Sequence, residues 1–277
     1  FVSGSSYRPG AGRVRLLKDL DLDVADQSVV LVHDVVHTGL TTAYLVGGVS
    51  VVGVGVAKEA QRLLGLCWSG AKPPAGTAQV IASVPSATKQ VALTFDLGGR
   101  TDPALDLVNY LRDSQVCTTF FATGYTASAP EGRPALAAMG AHPELFEIGN
   151  HTWHHCDLVN GGGGSPTAAP CLVDMTATFI RNELTTTRPA IAAASGLDDR
   201  PYWRPPYGAY DDFVRSNAAA VGYTKTVYWS RDTIDWDPNT TTAQIVSRAT
   251  SPLPPNGTII LFHLGGYNTR AALPQII

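Results

Sequence analysis

The sequence has few charged residues and no marked excess of either sign. Its 277 residues include 20 Lys and Arg against 23 Asp and Glu, which gives a formal net charge of −3. No block of like charges occurs along the chain, and this argues against binding to nucleic acid or to an anionic membrane surface. The hydrophobic share of 44% is typical of a globular protein with a sizeable core.

Cysteine is scarce and is not arranged for metal binding. The four cysteines are Cys67, Cys117, Cys156 and Cys171, and none belongs to a C-x-x-C pair, so the sequence predicts no thiolate zinc site. Cys156 and Cys171 flank a loop that contains Gly161–Gly164. This flexible loop allows a disulfide if the protein is exported, and two unpaired thiols are the alternative.

Long apolar runs are also missing. The longest uncharged apolar stretch, residues 41–57, is shorter and richer in glycine than a membrane span, which needs roughly 20 apolar residues. We therefore expect no integral membrane span. The chain begins with Phe1 rather than Met, so we expect a fragment or a processed form, in which the lack of a signal peptide carries little information.

Composition divides the chain into unlike parts, and no internal repeat is seen. Residues 1–57 are rich in Val and Leu, and residues 58–88 contain Pro73, Pro85 and small residues that are typical of a linker. From residue 89 to residue 277, apolar runs alternate with helical stretches. This alternation predicts an α/β domain.

The first part contains a predicted strand at Val29–Val32, followed by a Thr-Gly-x-Thr turn at Thr38–Thr41 that could present backbone N–H groups to a phosphate. Residues 3–46 resemble the middle of a hypoxanthine-type purine phosphoribosyltransferase. His33 and His37 stand where that family has acidic residues. We therefore interpret this part as a fragment without function of its own.

Five short segments of the later part carry groups that suit chemistry at one site. The first, Val91–Asp96, is an apolar strand that ends in a carboxylate, followed by Gly98 and Gly99. Because ligands bind at the carboxyl ends of strands in α/β folds, Asp96 is a candidate base or metal ligand. A helix-capping role is the alternative.

The second segment, Glu147–His155, places His151 and His155 four residues apart. One helical turn would bring both imidazoles to one face, where they could bind zinc or a similar divalent ion. His154 would point elsewhere on such a helix, and we expect it to be structural or solvent-facing.

The remaining three segments contribute a cation, an acidic and aromatic stretch, and a strand-end histidine. Prolines in Tyr202–Gly208 fix Arg204, which could pair with a carboxylate and tune its pKa, or belong to a rigid surface loop. Trp229–Asp237 suits a sugar-facing wall or the start of a capped helix. Thr258–His263 is a buried-strand pattern whose final His263 is a candidate general acid or a structural residue.

Taken in order, these segments resemble the NodB-type polysaccharide deacetylases, carbohydrate esterase family four. The shared motifs are Thr-Phe-Asp, His-Thr-x-x-His, Arg-x-Pro-Tyr, Asp-x-x-Asp-Trp and Ile-x-Leu-x-His, and the resemblance covers residues 89–277. It implies a distorted (β/α) barrel and a metal-dependent hydrolase that removes acetyl groups from N- or O-acetylated polysaccharide. It also implies a divalent metal, zinc or cobalt, an acetylated glycan as the partner, and a secreted or cell-envelope location.

The resemblance also implies roles for individual residues. Asp96 would be the general base and Arg204 would orient it. Asp232 would pair with His263, the general acid. His151 and His155 would hold the metal. The backbone N–H of Tyr207 would donate to the oxyanion. Trp236 and Leu261 would line the pocket for the acetyl group and the sugar.

Two departures from the family pattern stand out. The position of the third metal ligand, usually a second Asp, is Leu97, so we expect Asp102 or Asp96 to complete the site, or water alone. The chain also stops at Ile277, where the family usually continues through a further helix and strand, and we expect this to lower stability. Both departures favour a second hypothesis, a non-catalytic glycan-binding relative. The glycan and the oligomeric state stay open.

Overall fold

Two separate units make up the chain, residues 1–67 and residues 68–277. The structure is a computed structural model, and it describes residues 29–33, 42–46, 67, 76–87 and 90–277. In the first unit, strand β1 (Val29–His33) pairs antiparallel with β2 (Thr42–Val46). This confirms the predicted strand, while the predicted phosphate-binding turn lies outside the described residues.

The second unit is organised around one sheet of eight parallel strands. Their spatial order is β3-β8-β7-β6-β5-β4-β10-β9. The strands are β3 (Gln79–Ile81), β4 (Ala92–Leu97), β5 (Thr118–Ala122), β6 (Phe146–Asn150), β7 (Tyr202–Trp203), β8 (Lys225–Val227), β9 (Arg231–Asp232) and β10 (Ile259–His263). This curled half-barrel with surrounding helices confirms the predicted distorted (β/α) barrel.

Helices follow most of the strands, as parallel connections require. The α-helices are α1 (Ala104–Asp113), α2 (Gly124–Ser128), α3 (Arg133–Gly140), α4 (Ala177–Thr185), α5 (Thr187–Ser195), α6 (Asp212–Ala220), α7 (Thr242–Thr250) and α8 (Thr269–Ile276). Short 3₁₀ turns occur at Ala169–Cys171 and Pro206–Gly208. Helix α1 shows why these segments are helical: its buried residues Ala104, Leu107, Val108 and Leu111 follow the helical period and form one apolar face.

The central strands are buried on both faces, which explains why β4 and β10 read as nearly continuous apolar runs. On the helix side of the sheet, the ring of Phe95 stacks on Phe262 with centroids 5.0 Å apart and lies 6.0 Å from Phe120. Phe120 in turn meets Phe146 edge to face at 5.2 Å. This aromatic layer fixes the strands whose far ends carry the polar groups.

One domain boundary differs from the sequence-based prediction. Residues 58–88 were expected to form a linker, yet β3 (Gln79–Ile81) pairs with β8 as the edge strand of the sheet. Farther on, the Val84 N–H donates to the carbonyl of Gly257, 2.8 Å away. Pro85 of this segment therefore follows a short edge strand, a place in a sheet where proline is tolerated. None of the helices in the described part of the chain is long and apolar enough to cross a bilayer.

Parallel pairing brings several strand ends to one edge of the sheet. His263 at the end of β10 stands opposite Asp96 in β4, and Asp232 at the end of β9 stands opposite Leu261. On the other side, Asn150 at the end of β6 pairs with Trp203 at the end of β7. Residues from all five predicted segments thus meet at the carboxyl edge.

Candidate active site

A buried ion pair joins the first and third predicted segments. Arg204 is fully buried, and its Nη1 donates to Asp96 Oδ1 at 2.7 Å, while its Nη2 donates to Thr94 Oγ1 at 3.0 Å. Its guanidinium also lies over the Phe121 ring, 4.2 Å from the centroid. Burial would raise the pKa of Asp96, but the positive charge of Arg204 and its hydrogen bond to the carboxylate hold the pKa below the ordinary value. Asp96 is therefore an ionised carboxylate at neutral pH.

The two predicted metal-binding histidines do meet, but not on a helix. Residues 151–155 form a loop in which Thr152 and His155 adopt left-handed backbone angles, with φ of 66° and 58°. The ring centroids of His151 and His155 are 4.8 Å apart. The prediction that a helical turn brings His151 and His155 together was wrong, because the segment follows directly after β6 and turns at Thr152 and His155. A side chain at Gly98 would overlap the His155 ring, which explains the glycine there.

The protonation of these imidazoles is set by their surroundings. His151 Nδ1 lies 2.8 Å from the carbonyl oxygen of Arg204, and its Nε2 lies 3.5 Å from Asp96 Oδ2. Burial lowers the pKa of His151, and it lowers the pKa of His155 to about 3. Both rings are therefore neutral at neutral pH, which is the form that binds metals.

Polar contacts from distant residues hold the histidine loop. Glu183 of α4 is buried and accepts hydrogen bonds from the backbone N–H groups of Trp153 and His154 at 3.0 and 2.8 Å. Its other oxygen lies 2.7 Å from His154 Nδ1, in agreement with the structural role expected for His154. Asn150 accepts from the N–H of Thr152 at 2.9 Å. No sequence motif marks Glu183, which lies 29 residues from His154 and meets it only in the folded chain.

The candidate general acid is paired with a different aspartate from the one expected. His263 Nδ1 lies 2.7 Å from Asp235 Oδ1, and the His263 backbone N–H donates to Asp235 Oδ2 at 2.9 Å. Asp235 is fully buried, whereas Asp232 accepts from the N–H of Ile234 at 2.8 Å. The predicted Asp232–His263 pair was wrong because the chain turns at Ile234, where φ is 56°, and this turn places Asp235 beside His263.

This pairing sets the charge of the histidine. Burial alone would lower the pKa of His263, but the Asp235 carboxylate outweighs it and leaves the pKa of His263 above the ordinary value. Because Asp235 occupies Nδ1, the Nε2 atom is the one left for a ligand. The motif Asp-x-x-Asp had marked both carboxylates, so Asp235 could have been proposed from sequence, but the choice between the two depends on the turn.

One pocket of about 540 Å³ collects these groups at the carboxyl edge of the sheet. Of the predicted residues, its lining contains Asp96, His151, His155, Tyr207, Asp232, Trp236, Leu261 and His263. Arg204 lies beneath it, bound to Asp96. Other residues, to which the sequence analysis gave no individual role, also line the pocket, among them Arg100, Trp229 and Tyr267.

The rim of the pocket is aromatic. Tyr207 and Trp236 are 56% and 54% exposed, so both rings offer a face to a ligand in the pocket. Tyr207 also packs against His155, with ring centroids 4.8 Å apart, and its hydroxyl accepts from the N–H of Gly164 at 3.2 Å. The backbone of Tyr207 is left-handed, with φ of 60°. The predicted lining role of Leu261 agrees with its position in the pocket floor, where it is 3% exposed.

A disulfide supports this rim. Cys156 and Cys171 are bonded, with Cα atoms 5.3 Å apart, which confirms the pairing that the sequence allowed. The bond closes the loop that carries Gly163 and Gly164 against Tyr207. The glycines fit there because a side chain at residue 163 would overlap the Tyr207 ring and because both have positive φ.

The donors at the imidazole pair do not fit a metal centre with three protein ligands. Asp102 does not act as the third metal ligand, because its side chain is 66% exposed and Arg100 binds both oxygens of its carboxylate. Leu97 is fully buried and lies outside the pocket lining. Over the described part of the chain, no group of three or more His, Cys, Asp and Glu side chains is placed to hold a metal ion. Of the two carboxylates considered from sequence, Asp96 alone lies at the imidazoles.

Comparison with known proteins places this architecture in a family. The family model described as polysaccharide deacetylase matches residues 83–226, just over half of the 277 residues. The chain belongs to the polysaccharide deacetylase family. The match begins inside the segment first expected to be a linker, and the suggested resemblance of residues 3–46 to a phosphoribosyltransferase is not supported.

Individual members of the polysaccharide deacetylase family show the same similarity. The chain is 30% identical over 151 residues to the peptidoglycan-N-acetylmuramic acid deacetylase PdaA of Bacillus subtilis, covering 54% of this chain and 50% of that protein. It is 32% identical over 181 residues to a chitooligosaccharide deacetylase of a Bradyrhizobium strain, covering 65% of this chain and 73% of that protein. The chain thus spans half the length of the Bacillus relative.

A solved structure supports the fold. The family 4 carbohydrate esterase from Streptomyces lividans, determined in complex with acetate, is 29% identical, with a TM-score of 0.54. The similarity covers 69% of this chain and 87% of that one. The polysaccharide deacetylase barrel is therefore shared over most of the second unit.

Proposed function

We propose that this protein removes acetyl groups from an N- or O-acetylated polysaccharide. The observation that carries the proposal is the meeting of two charge-tuned pairs in one aromatic pocket. The Asp96–Arg204 pair supplies an ionised carboxylate, and the Asp235–His263 pair supplies an imidazole that favours its protonated form. A binding site alone has no need for a base and an acid with pKa values shifted in opposite directions.

The chemistry of each group follows from its environment. Arg204 donates its hydrogen bond to Oδ1 of Asp96, which leaves Oδ2 to accept a proton from an attacking water. His263 can donate from Nε2 to the departing amine or alcohol of the sugar. We propose the backbone N–H of Tyr207 as a donor to the developing oxyanion, an interaction of a kind worth about 3 kcal/mol. Trp236 and Leu261 would hold the sugar and the acetyl group.

The test is acetate release from N-acetylated and O-acetylated oligosaccharides. We expect His263→Gln to lower the rate by at least about 100-fold, since a positioned general acid contributes roughly 10²–10⁴. His142→Gln serves as the matched control because His142 also contacts an acidic residue, Glu144, but lies outside the pocket. Equal rates for the two variants would contradict the assignment.

The pH profile gives an independent readout. The pKa of His263 is raised, so its proton is present at low pH and is lost as pH rises through that value. The pKa of Asp96 is lowered, so the base is lost only when pH falls below the ordinary range of an aspartate. We therefore expect activity over a plateau whose alkaline limit belongs to His263.

We propose an exported, secreted or cell-envelope protein. The Cys156–Cys171 disulfide supports this location, because structural disulfides persist in oxidising compartments and are rare in the cytosol. Acetylated wall glycans are also found outside the cytoplasm.

The second candidate is a glycan-binding relative that does not hydrolyse its ligand. Leu97 favours it, because this residue leaves the His151–His155 pair without the carboxylate that the family pattern supplies. The zinc or cobalt ion implied by the resemblance remains a prediction, and no step above depends on it. Binding of acetylated glycan without acetate release, also after addition of zinc or cobalt, would favour this candidate.

A further inference from the structure

Three carboxylates, Asp96, Asp232 and Asp235, lie in or beside the pocket at the imidazoles, and one of them forms no ion pair with a described residue. Asp96 is paired with Arg204, and Asp235 is paired with His263. For Asp232, the described residues provide one hydrogen bond, from the N–H of Ile234 to Oδ1 at 2.8 Å, and no ion pair. Its Oδ2 is therefore left to accept from something outside the protein.

The position of Asp232 directs it to the ligand. Asp232 stands opposite Leu261 in the β9–β10 register, and both residues line the pocket together with Trp229 and Trp236. The side chain is partly buried, and burial raises the pKa of Asp232. A carboxylate that is partly removed from water on a pocket wall binds best to a ligand that donates a hydrogen bond to it.

Neighbouring cations offset the negative charge of Asp232 only in part. Arg100 is the exposed cation of the pocket lining, and its Nε and Nη2 bind the two oxygens of Asp102 at 2.5 and 2.7 Å. Its guanidinium also lies 4.7 Å from the centroid of the Tyr267 ring. The positive charge of Arg100 is thus balanced by Asp102.

The positive charges of His263 and Arg204 act on Asp232, but they also act on Asp96, and His263 acts on Asp235. Three carboxylates therefore face these two cations, which leaves one negative charge in excess.

We infer that Asp232 is a substrate-binding residue that selects neutral N-acetylated sugars and disfavours amino sugars that carry a carboxylate beside the reacting acetyl group. A sugar hydroxyl can donate to Oδ2, whereas a carboxylate on the sugar ring would meet a pocket wall that already carries one negative charge in excess. Like-charge contacts in a binding site are a common source of discrimination between partners. This inference rests on the proposed function, since it assumes that an acetylated glycan occupies the pocket.

The experiment compares two ligands with the full chain. Binding is followed by calorimetry and by the fluorescence of the pocket tryptophans, first with an oligomer of N-acetylglucosamine and then with a peptide-free oligomer in which N-acetylmuramic acid alternates with it. Asp232→Asn is the informative variant because an amide oxygen still accepts from Ile234 and keeps the turn, while the charge is removed.

Asp237→Asn is the matched control. Asp237 Oδ1 accepts from the N–H of Asn239 at 2.8 Å, the same kind of turn in the same segment, but Asp237 is outside the pocket lining. We expect the wild type and Asp237→Asn to bind the neutral oligomer at least about tenfold more tightly than the acidic one. In Asp232→Asn this ratio should fall at least about fivefold, mostly through tighter binding of the acidic oligomer.

Every outcome bears on the inference. If the ratio of the two affinities is the same in Asp232→Asn and in the wild type, the inference is overturned. If such a protein also releases acetate, the proposed function still stands. A wild type that prefers the acidic oligomer overturns it as well. If the wild type binds neither oligomer, both the inference and the proposed function fail.

Discussion

At the scale of single residues, the neighbours Asp96 and Leu97 decide what the site can bind. Asp96 lies in the pocket, whereas Leu97, the last residue of β4, is fully buried and directly precedes Gly98, which packs against the His155 ring. The apolar side chain suits the core but removes an oxygen donor from the imidazole pair. Catalytic zinc generally has three protein ligands.

The first prediction concerns Leu97→Asp. We expect this variant to bind zinc at least about tenfold more tightly than the wild type, because a carboxylate would join the two neutral imidazoles of His151 and His155. Isothermal titration with zinc chloride measures the affinity without reference to activity.

Leu97→Asn controls for the cost of a polar group at this buried position, since it has nearly the same size without the charge. Both variants should lose stability, and Leu97→Asp should lose more than Leu97→Asn in the absence of zinc, because burying a carboxylate costs more than burying an amide. If all three proteins bind zinc with one affinity, the assignment of residue 97 as the missing ligand position is wrong.

At the scale of elements, the loop 151–155 shows how the fold imposes a conformation that its residues do not favour. Thr152 is β-branched and has a φ of 66°, a rare combination for such a residue. The contacts from Asn150 and Glu183 fix the loop at three consecutive backbone N–H groups, those of residues 152, 153 and 154. A strained loop persists only where its surroundings determine it in this way.

We predict that Glu183→Ala destabilises the protein by about 1–3 kcal/mol, because the N–H groups of Trp153 and His154 lose their acceptor. The midpoint of urea unfolding measures the change. Glu183→Gln should lose less, since its amide oxygen can still accept these bonds. The exposed Glu131→Ala is the control, and a shift in Glu131→Ala as large as in Glu183→Ala would refute the prediction.

At the scale of the whole second unit, parallel strand pairing collects residues that are far apart in sequence. Arg204 and Asp96 are 108 residues apart and form a bond of 2.7 Å. The disulfide acts on a shorter span, 15 residues, and closes the wall of the same pocket. Restricting a loop of this length in the unfolded chain is worth about 3 kcal/mol.

We predict that the double substitution Cys156→Ser and Cys171→Ser lowers the free energy of unfolding by about 3 kcal/mol, as measured by urea denaturation. Glycan affinity should fall too, because the contact between Gly164 and Tyr207 is no longer held. Asp157→Asn, in the same loop, is the control for a local change that keeps the disulfide. A double variant as stable as the wild type would show that the bond does not constrain the unfolded chain.

The sequence by itself indicated the main apolar strands and eight residues that the structure brings to one pocket. Apolar runs that end in Asp96 and His263 are local patterns, and the parallel pairing that brings them together follows from the α/β alternation. The sequence could not distinguish a helix from a loop at His151–His155, because a spacing of four residues is compatible with both. Only the tertiary structure decided that point, the choice of Asp235 over Asp232, and the exclusion of Asp102, since each depends on a turn or on a distant partner rather than on neighbours in the chain.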